Sequence, residues 1–258
     1  MSKKKNVLIA VPSFTYGGAE SHGFAIARVI SEMDELRPIM FSFSRRTDAT
    51  HLYDQENIEY LQYFEPIAIS DKWYVKLKKI ILLVNFLRKH KIHAIISTTF
   101  NTNINLGLVW RFIGAKKFYW HQLGVNDDIP VTWTEKIVKS TGVSYVANSD
   151  WMKLNISNRH GISRKEELPV IYNIPQYVEP EMGREGWRTK LGIDPSSVVI
   201  IMVANYYPEK DFETLLLSFS KLRENSATNN INLILVGSAP GVSSCLLYTS
   251  DAADELRS

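Results

Sequence analysis

The sequence predicts an α/β protein: a parallel sheet covered by helices on both faces, followed near residue 184 by the start of a second unit of the same kind. Three observations predict it. Short apolar runs alternate with longer amphipathic segments along the 258 residues, the pattern of parallel strands joined by crossover helices. Near the N-terminus, the run Val7–Val11 opens through a glycine turn into an amphipathic segment. Far down the chain, the run ending at Val203 opens through a Pro-bearing loop into another. The same strand–loop–helix step thus begins twice.

The elements follow in order. Strands are predicted at Val7–Val11, Pro38–Phe43, Ile58–Tyr63, Ala94–Thr98, Lys117–His121, Ser144–Ala147 and Leu168–Tyr172. Between most of them lie helices at Ala19–Met33, Trp73–Lys89, Asn105–Ile113, Thr132–Lys139 and Asp150–Arg159. Ser149 is placed to cap the last of these, and Gly161 stands just past its end. The stretch from Pro175 to Gly183 is polar and proline-bearing and reads as a linker. A short helix near Gly186–Leu191 then leads into the strand Val198–Val203. Phe212, Leu215, Leu216, Phe219 and Leu222 form an apolar stripe at helical spacing, with Asp211 as its cap. A strand beginning at Ile231 ends at Gly237.

Composition narrows the class. A hydrophobic content of 45% and a charged content of 22% are those of a globular protein. A net charge of +3 is too small to argue for nucleic acid without a concentrated patch. The one cysteine, Cys245, lies near the C-terminus, so no disulfide framework exists and a reducing, cytoplasmic compartment is the natural reading. The apolar run at the N-terminus is short and broken by Pro12, a first strand rather than a signal peptide. No run approaches the ~20 apolar residues of a membrane span. The first turn is not G-x-G-x-x-G, which argues against a nicotinamide or flavin fingerprint, and no G-x-S-x-G elbow supports a hydrolase. His90 and His93 straddle a helix end and need not converge on a metal, and Asp127-Asp128 read as solvated loop carboxylates.

Two segments carry a family resemblance. Val203-Ala-Asn205-Tyr-Tyr-Pro-Glu-Lys210-Asp211, followed by the helix, the last strand and Gly237, resembles the opening of the donor-binding domain of retaining GT-B glycosyltransferases. That family has two Rossmann-like halves. Ser13-Phe-Thr-Tyr-Gly17-Gly18-Ala-Glu20 resembles its N-terminal loop, which faces the cleft between the halves. His121, at the carboxyl end of its strand, stands where the family has a histidine near donor sugar and acceptor. Val146-Ala-Asn-Ser149 and Val170-Ile-Tyr-Asn173 resemble architectural landmarks. The resemblance implies transfer of a sugar from a nucleotide-diphosphate sugar to a glycan or lipid-linked acceptor, with retention at the anomeric carbon, in cell-surface polysaccharide or glycolipid synthesis. It assigns His121 and Lys210 to catalysis and Gly17, Gly18, Glu20, Asn205 and Gly237 to substrate binding. It implies no metal and no other cofactor, since Lys210 and helix N-termini would stabilise the leaving diphosphate. No Asp-x-Asp pair is present, unlike the metal-dependent GT-A class. The alternative is a non-catalytic Rossmann-like binding or interaction domain.

Departures are clear. Asn205 stands where the family often has arginine, Ala239 where a second glycine is usual, and Ile174 where the asparagine exit has glycine. Residues 1–175 are expected to form the acceptor-side domain, 176–183 the linker and 184–244 an incomplete donor domain. Residues Cys245 to Glu255 resemble one reading frame of a transposase adapter used in DNA sequencing libraries, so 245–258 are expected to be a non-native tail. A chain truncated in this way is expected to be inactive.

Residues 72–91 contain aromatic residues and are basic at both ends. They read first as a sheet-covering helix, because a strand follows at once. The other reading is peripheral contact with an anionic membrane, at the inner face of the cell membrane.

Overall fold

Chain alternation builds the core. In the first strand, Leu8 and Ala10 point to one face and Val7 and Ile9 to the other, as strand geometry requires, and all four are buried. The structure is a computed structural model and describes residues 4–124, 130–163, 167–174, 179–224 and 230–237. It falls into two units, Met1–Tyr177 and Val178–Ser258.

Unit 1 runs β1 (Lys5–Ala10), α1 (Gly18–Ser31), β2 (Leu36–Ser42), α2 (Thr50–Gln55), β3 (Glu59–Gln62), α3 (Trp73–Arg88), β4 (Ile92–Ser97), α4 (Phe100–Gly107), β5 (Lys117–Gln122), α5 (Trp133–Ser140), β6 (Ser144–Ala147) and α6 (Asp150–His160). All six strands are parallel, in the order β3-β2-β1-β4-β5-β6. That is the doubly wound Rossmann order, so the α/β fold expected from the sequence is present. Leu8 and Ala10 join Ile39, Phe41, Leu83, Leu87 and Trp120 in a core under α3, α4 and α5. Val7, Ile9 and Val11 join Phe24, Ala27, Met40 and Tyr53 under α1 and α2. Ser149 caps α6 by accepting from the Met152 N–H at 3.1 Å, and Gly161 ends it at φ 59°.

Three expectations are corrected. The helix placed at Asn105–Ile113 begins at Phe100, because Thr99 and Thr102 form a reciprocal capping pair there. Helix α2 was not foreseen; its six residues bury only Tyr53, too short a stripe to show a helical period. Leu168–Tyr172 is no full strand. It contributes a single bridge, Ala147 to Val170, at the edge of β6.

Unit 2 contains α7 (Arg184–Lys190), β7 (Val198–Val203), a 3-10 turn (Pro208–Lys210), α8 (Phe212–Arg223) and β8 (Ile231–Val236). Strands β7 and β8 pair in parallel, Val198 to Ile231 through Val203 to Val236. Among the described residues of this unit only Ser197 is buried; two strands leave both sheet faces open, with Ile201 59% and Val203 72% exposed. Residues 125–129, the exit residues from Pro175 to Val178, and everything after Gly237, including Ala239 and the 245–258 segment, lie outside the described residues.

Candidate functional site

In unit 1 the strand order reverses between β1 and β4, so the loops leaving them diverge at the carboxyl edge of the sheet, where α/β sheets take ligands. A cleft of about 680 Å³ opens there. It is lined by Pro12 after β1, Phe43 and Ser44 after β2, the loop from Pro66 to Ser70, and Thr99, Phe100, Asn101, Thr102, Ile104 and Asn105 around the start of α4. None of these side chains is ionisable. The walls are fastened by hydrogen bonds. The Thr98 N–H and hydroxyl both donate to the Ala10 carbonyl, at 3.0 and 2.9 Å. The Ser42 hydroxyl donates to the Pro12 carbonyl at 2.9 Å. Asn105 accepts from the Ile67 N–H at 2.6 Å and donates to its carbonyl at 3.3 Å.

The glycine turn lies beside this edge. Gly17 caps α1 in extended backbone (φ −171°) and Gly18 is the first helical residue, so neither conformation demands glycine. A Cβ on Gly17 would strike the Glu20 carboxylate, whereas one on Gly18 would meet open space. Glu20 folds back onto the turn and accepts from the Ser13 hydroxyl at 2.8 Å. It braces the loop, while the first N–H groups of α1 lack intrahelical acceptors. Gly23 is the glycine that packing requires, because a Cβ there would run into the Val11 side chain.

His121 is 2% exposed near the end of β5. Its ring stands edge to face with His22 of α1, the centroids 4.9 Å apart and the planes at 73°. His22 Nδ1 accepts from the Ile174 N–H at 3.3 Å. Both Nε2 atoms are buried with no partner among the described residues. Burial pushes the pKa of both histidines down; for His121, burial and then His22 lower it to about 4. Both rings are therefore neutral hydrogen-bonding groups at neutral pH. His22 belongs to no motif read from the sequence; its only signal was a histidine among the apolar positions of α1.

In unit 2, Lys210 ends the 3-10 turn, exposed, and makes no ion pair among the described residues. Asp211 follows at φ 50° and caps α8, accepting from the Thr214 N–H at 3.2 Å. That left-handed residue turns the chain sharply between Lys210 and the helix. Asn205 is half-buried in the loop after β7, its carbonyl accepting from the Tyr207 N–H at 2.8 Å. A Cβ on Gly237 would collide with the Ala204 carbonyl, so this glycine lets the ends of β7 and β8 close on each other. The site residues thus fall into two sets, Gly17, Gly18, Glu20 and His121 in unit 1 and Asn205, Lys210 and Gly237 in unit 2. Among the described residues no three His, Cys, Asp or Glu side chains cluster as metal ligands.

No protein-family profile and no curated protein sequence matches the chain. Solved structures do. A glycosyltransferase from Rickettsia africae is 19% identical, with 92% of this chain and 61% of that one aligned at a TM-score of 0.67. The Anabaena protein HepE, in complex with UDP and glucose, is 17% identical over 92% of this chain and 62% of its own, at 0.68. A putative UDP-N-acetylglucosamine 2-epimerase from Listeria monocytogenes is 10% identical over 91% and 63%, at 0.56. The fold is that of the GT-B proteins, which these transferase and epimerase structures share. The chain spans about three-fifths of the length of the first two structures.

Proposed function

We propose that the chain is the acceptor-side unit and the beginning of the donor-side unit of a retaining GT-B glycosyltransferase. The observation that carries this is the cleft at the β1/β4 switch point. Its hydroxyl and amide groups sit between apolar walls, with no charge in the lining, a surface suited to a sugar's hydroxyls and apolar faces rather than to an anion. Lys210, exposed on its turn, supplies the positive charge for a nucleotide diphosphate. In the reaction, positive charge grows on the sugar ring as the diphosphate leaves; Lys210 stabilises the leaving charge, and His121 orients sugar or acceptor hydroxyls. Asn205 adds a hydrogen bond but no charge, so the diphosphate rests on Lys210.

A glycan or lipid-linked acceptor fits the outer face of α3. Trp73, Tyr74, Leu77, Ile81 and Leu82 are exposed there, beside the exposed Lys72, Lys78, Arg88 and Lys89. Residues 72–91 contain no acidic side chain. The helix already covers the sheet with Leu83, Val84 and Leu87, so the outer apolar residues are not needed for that task. They support peripheral contact with an anionic membrane. Among the described residues no helix is long and apolar enough to cross one.

The test uses a chain of the neighbours' full length and a panel of nucleotide-diphosphate sugars. Lys210→Ala is expected to weaken donor binding by roughly tenfold or more, the loss of one charge-assisted contact. Equal binding by the mutant would remove Lys210 from the site. Sugar transfer that depends on an added acceptor supports the transferase. Isomerisation of the donor without acceptor would make it an epimerase, and binding without either reaction a non-catalytic domain.

A further inference from the structure

The lining of the cleft in unit 1 is uncharged, but a stacked cation stands at its rim. Phe43 and Ser44, after β2, and Pro66, after β3, belong to the lining. Arg45 follows Ser44 directly, and Phe64 stands two residues before Pro66. The Arg45 guanidinium carbon lies 4.4 Å from the centre of the Phe64 ring. Both side chains are exposed.

Two features set Arg45 apart from a loose surface arginine. The backbone around it is held. The Gln62 side-chain amide donates to the Ser44 carbonyl at 2.9 Å, the Tyr63 N–H to the Ser42 carbonyl at 3.0 Å, and the Arg46 N–H to the Ser44 hydroxyl at 3.1 Å. The second feature is the stack itself. Phe64 takes one face of the guanidinium, and the N–H groups of the planar fork point outward from its edge. Arg46 pairs with Asp48 at 3.6 Å. Arg45 makes no ion pair among the described residues, although the exposed Glu65 adjoins Phe64 in the chain.

We propose that Arg45 and Phe64 form an anion subsite at the rim of the cleft, and that the acceptor is a sugar carrying a phosphate or a carboxylate. The sugar ring lies in the cleft and its anionic substituent is held by the Arg45 fork. Hydroxyl, amide and apolar groups of the lining hold a neutral ring but offer no counter-charge. The fork matches the paired oxygens of either anion, and its stack on Phe64 reduces the freedom lost on binding. The donor's diphosphate is assigned to Lys210, so this anion belongs to the acceptor. The subsite names the acceptor's chemical class and rests on the reading of the cleft as a sugar site.

The experiment is an NMR titration of the full chain. The Thr102 and Asn105 amides report on the cleft and the Arg45 Nε–H on the rim. The probes are glucose, galactose, mannose and N-acetylglucosamine, their 1-phosphates, glucuronate, galacturonate and inorganic phosphate. An anionic sugar is expected to shift both sets of signals and to bind roughly fivefold more tightly than its neutral parent, the scale of an exposed ion pair. Arg45→Met keeps the stem on Phe64 and is expected to abolish that advantage while neutral sugars bind as before. Phe64→Leu removes the ring and is expected to reduce the advantage, and Phe64→Tyr to keep it; an unchanged Phe64→Leu would take the ring out of the subsite. An advantage confined to the phosphates or to the uronates supports the subsite and identifies its anion. Equal binding of neutral and anionic sugars, or an advantage that survives Arg45→Met, overturns the proposal and leaves the sugar cleft standing. Inorganic phosphate binding as tightly as the sugar phosphates also overturns it, because the anion would then be held without the cleft. Unmoved Thr102 and Asn105 signals with every sugar would remove the sugar cleft itself, and the subsite with it.

Discussion

The ammonium of Lys76 donates to the carbonyl of Ile69 at 2.7 Å while lying 5.0 Å from the centre of the Trp133 ring. Lys76 is buried at 5% exposure, and Ile69 lines the uncharged cleft. One turn further along α3, Lys79 donates to the Pro66 carbonyl at 2.9 Å and pairs with Asp71 at 2.8 Å. Helix α3 therefore buries Leu83, Val84 and Leu87, leaves other apolar residues exposed, and holds a wall of the cleft with Lys76 and Lys79.

Lys76→Met keeps the side-chain length and removes the donor. It also relieves a buried charge, so the expected net cost is about 1 kcal/mol rather than that of a full charge-assisted bond. Denaturant unfolding reads the stability. Hydrogen exchange is expected to rise at Ala68 to Asp71, and unchanged exchange there would show that the lysine does not hold the wall.

On the outer face, Trp73→Ala with Leu77→Ala is expected to leave stability within about 0.5 kcal/mol, as both side chains are exposed. The same variant is expected to lose binding to vesicles containing phosphatidylglycerol. Lys78→Ala is expected to weaken that binding roughly fivefold, about 1 kcal/mol per cation near the surface, and high salt to weaken it further. Equal binding to neutral vesicles would remove the electrostatic part of the reading.

A buried ion pair joins α5 to α6. Arg159 donates to both oxygens of Glu135, at 2.7 and 2.9 Å, with the Glu135 side chain 1% exposed. Glu135→Gln strands the guanidinium against a neutral partner and is expected to cost about 3–5 kcal/mol. Replacing the pair by apolar residues of similar volume is expected to cost much less, and equal losses would show that packing, not charge, is at stake.

Acid is expected to destabilise unit 1 in a defined window. Burial lowers the pKa of His121 and of His160 to about 4 in the fold, against an ordinary value of 6.5. The unfolded chain thus binds protons that the fold does not, and stability is full above pH 6.5 and falls as pH drops towards 4. Each ring contributes roughly 3 kcal/mol to that loss. Urea midpoints measured across the window give the slope, which His160→Phe is expected to reduce by about half.

The glycines of α1 are expected to separate by role. Gly23→Ala forces a methyl against Val11 and is expected to cost about 1–3 kcal/mol. Gly18→Ala meets open space and is expected to be neutral or slightly stabilising. Loss of donor or acceptor binding in Gly18→Ala at full stability would mark the turn as ligand-facing; retained binding would make it a turn only.

Periodicity made the strands legible. The apolar runs of β1, β4 and β7 stand out because strands of a parallel sheet read as continuous Val and Ile rather than as an alternation. The caps Ser149, Gly161 and Asp211 were legible for a similar reason: each acts on backbone groups within three or four residues of itself. The start of α4 was missed because Phe100-Asn-Thr-Asn-Ile-Asn holds weak helix formers, and a reciprocal Thr99–Thr102 pair outweighs them locally.

The amino-acid sequence by itself determined the α/β class and most of the order of elements, because these rest on local propensity and spacing, while the positions Gly17, Glu20, His121 and Lys210 were singled out by family resemblance. Only the tertiary structure decided which side chains meet. It put His22 against His121 across about a hundred residues of chain, turned Glu20 back onto Ser13, gave Gly23 the packing role, and left half of α3's apolar surface facing outward. Such pairings depend on the strand order and on how closely helices approach the sheet, quantities set by the whole core at once and carried by no single segment.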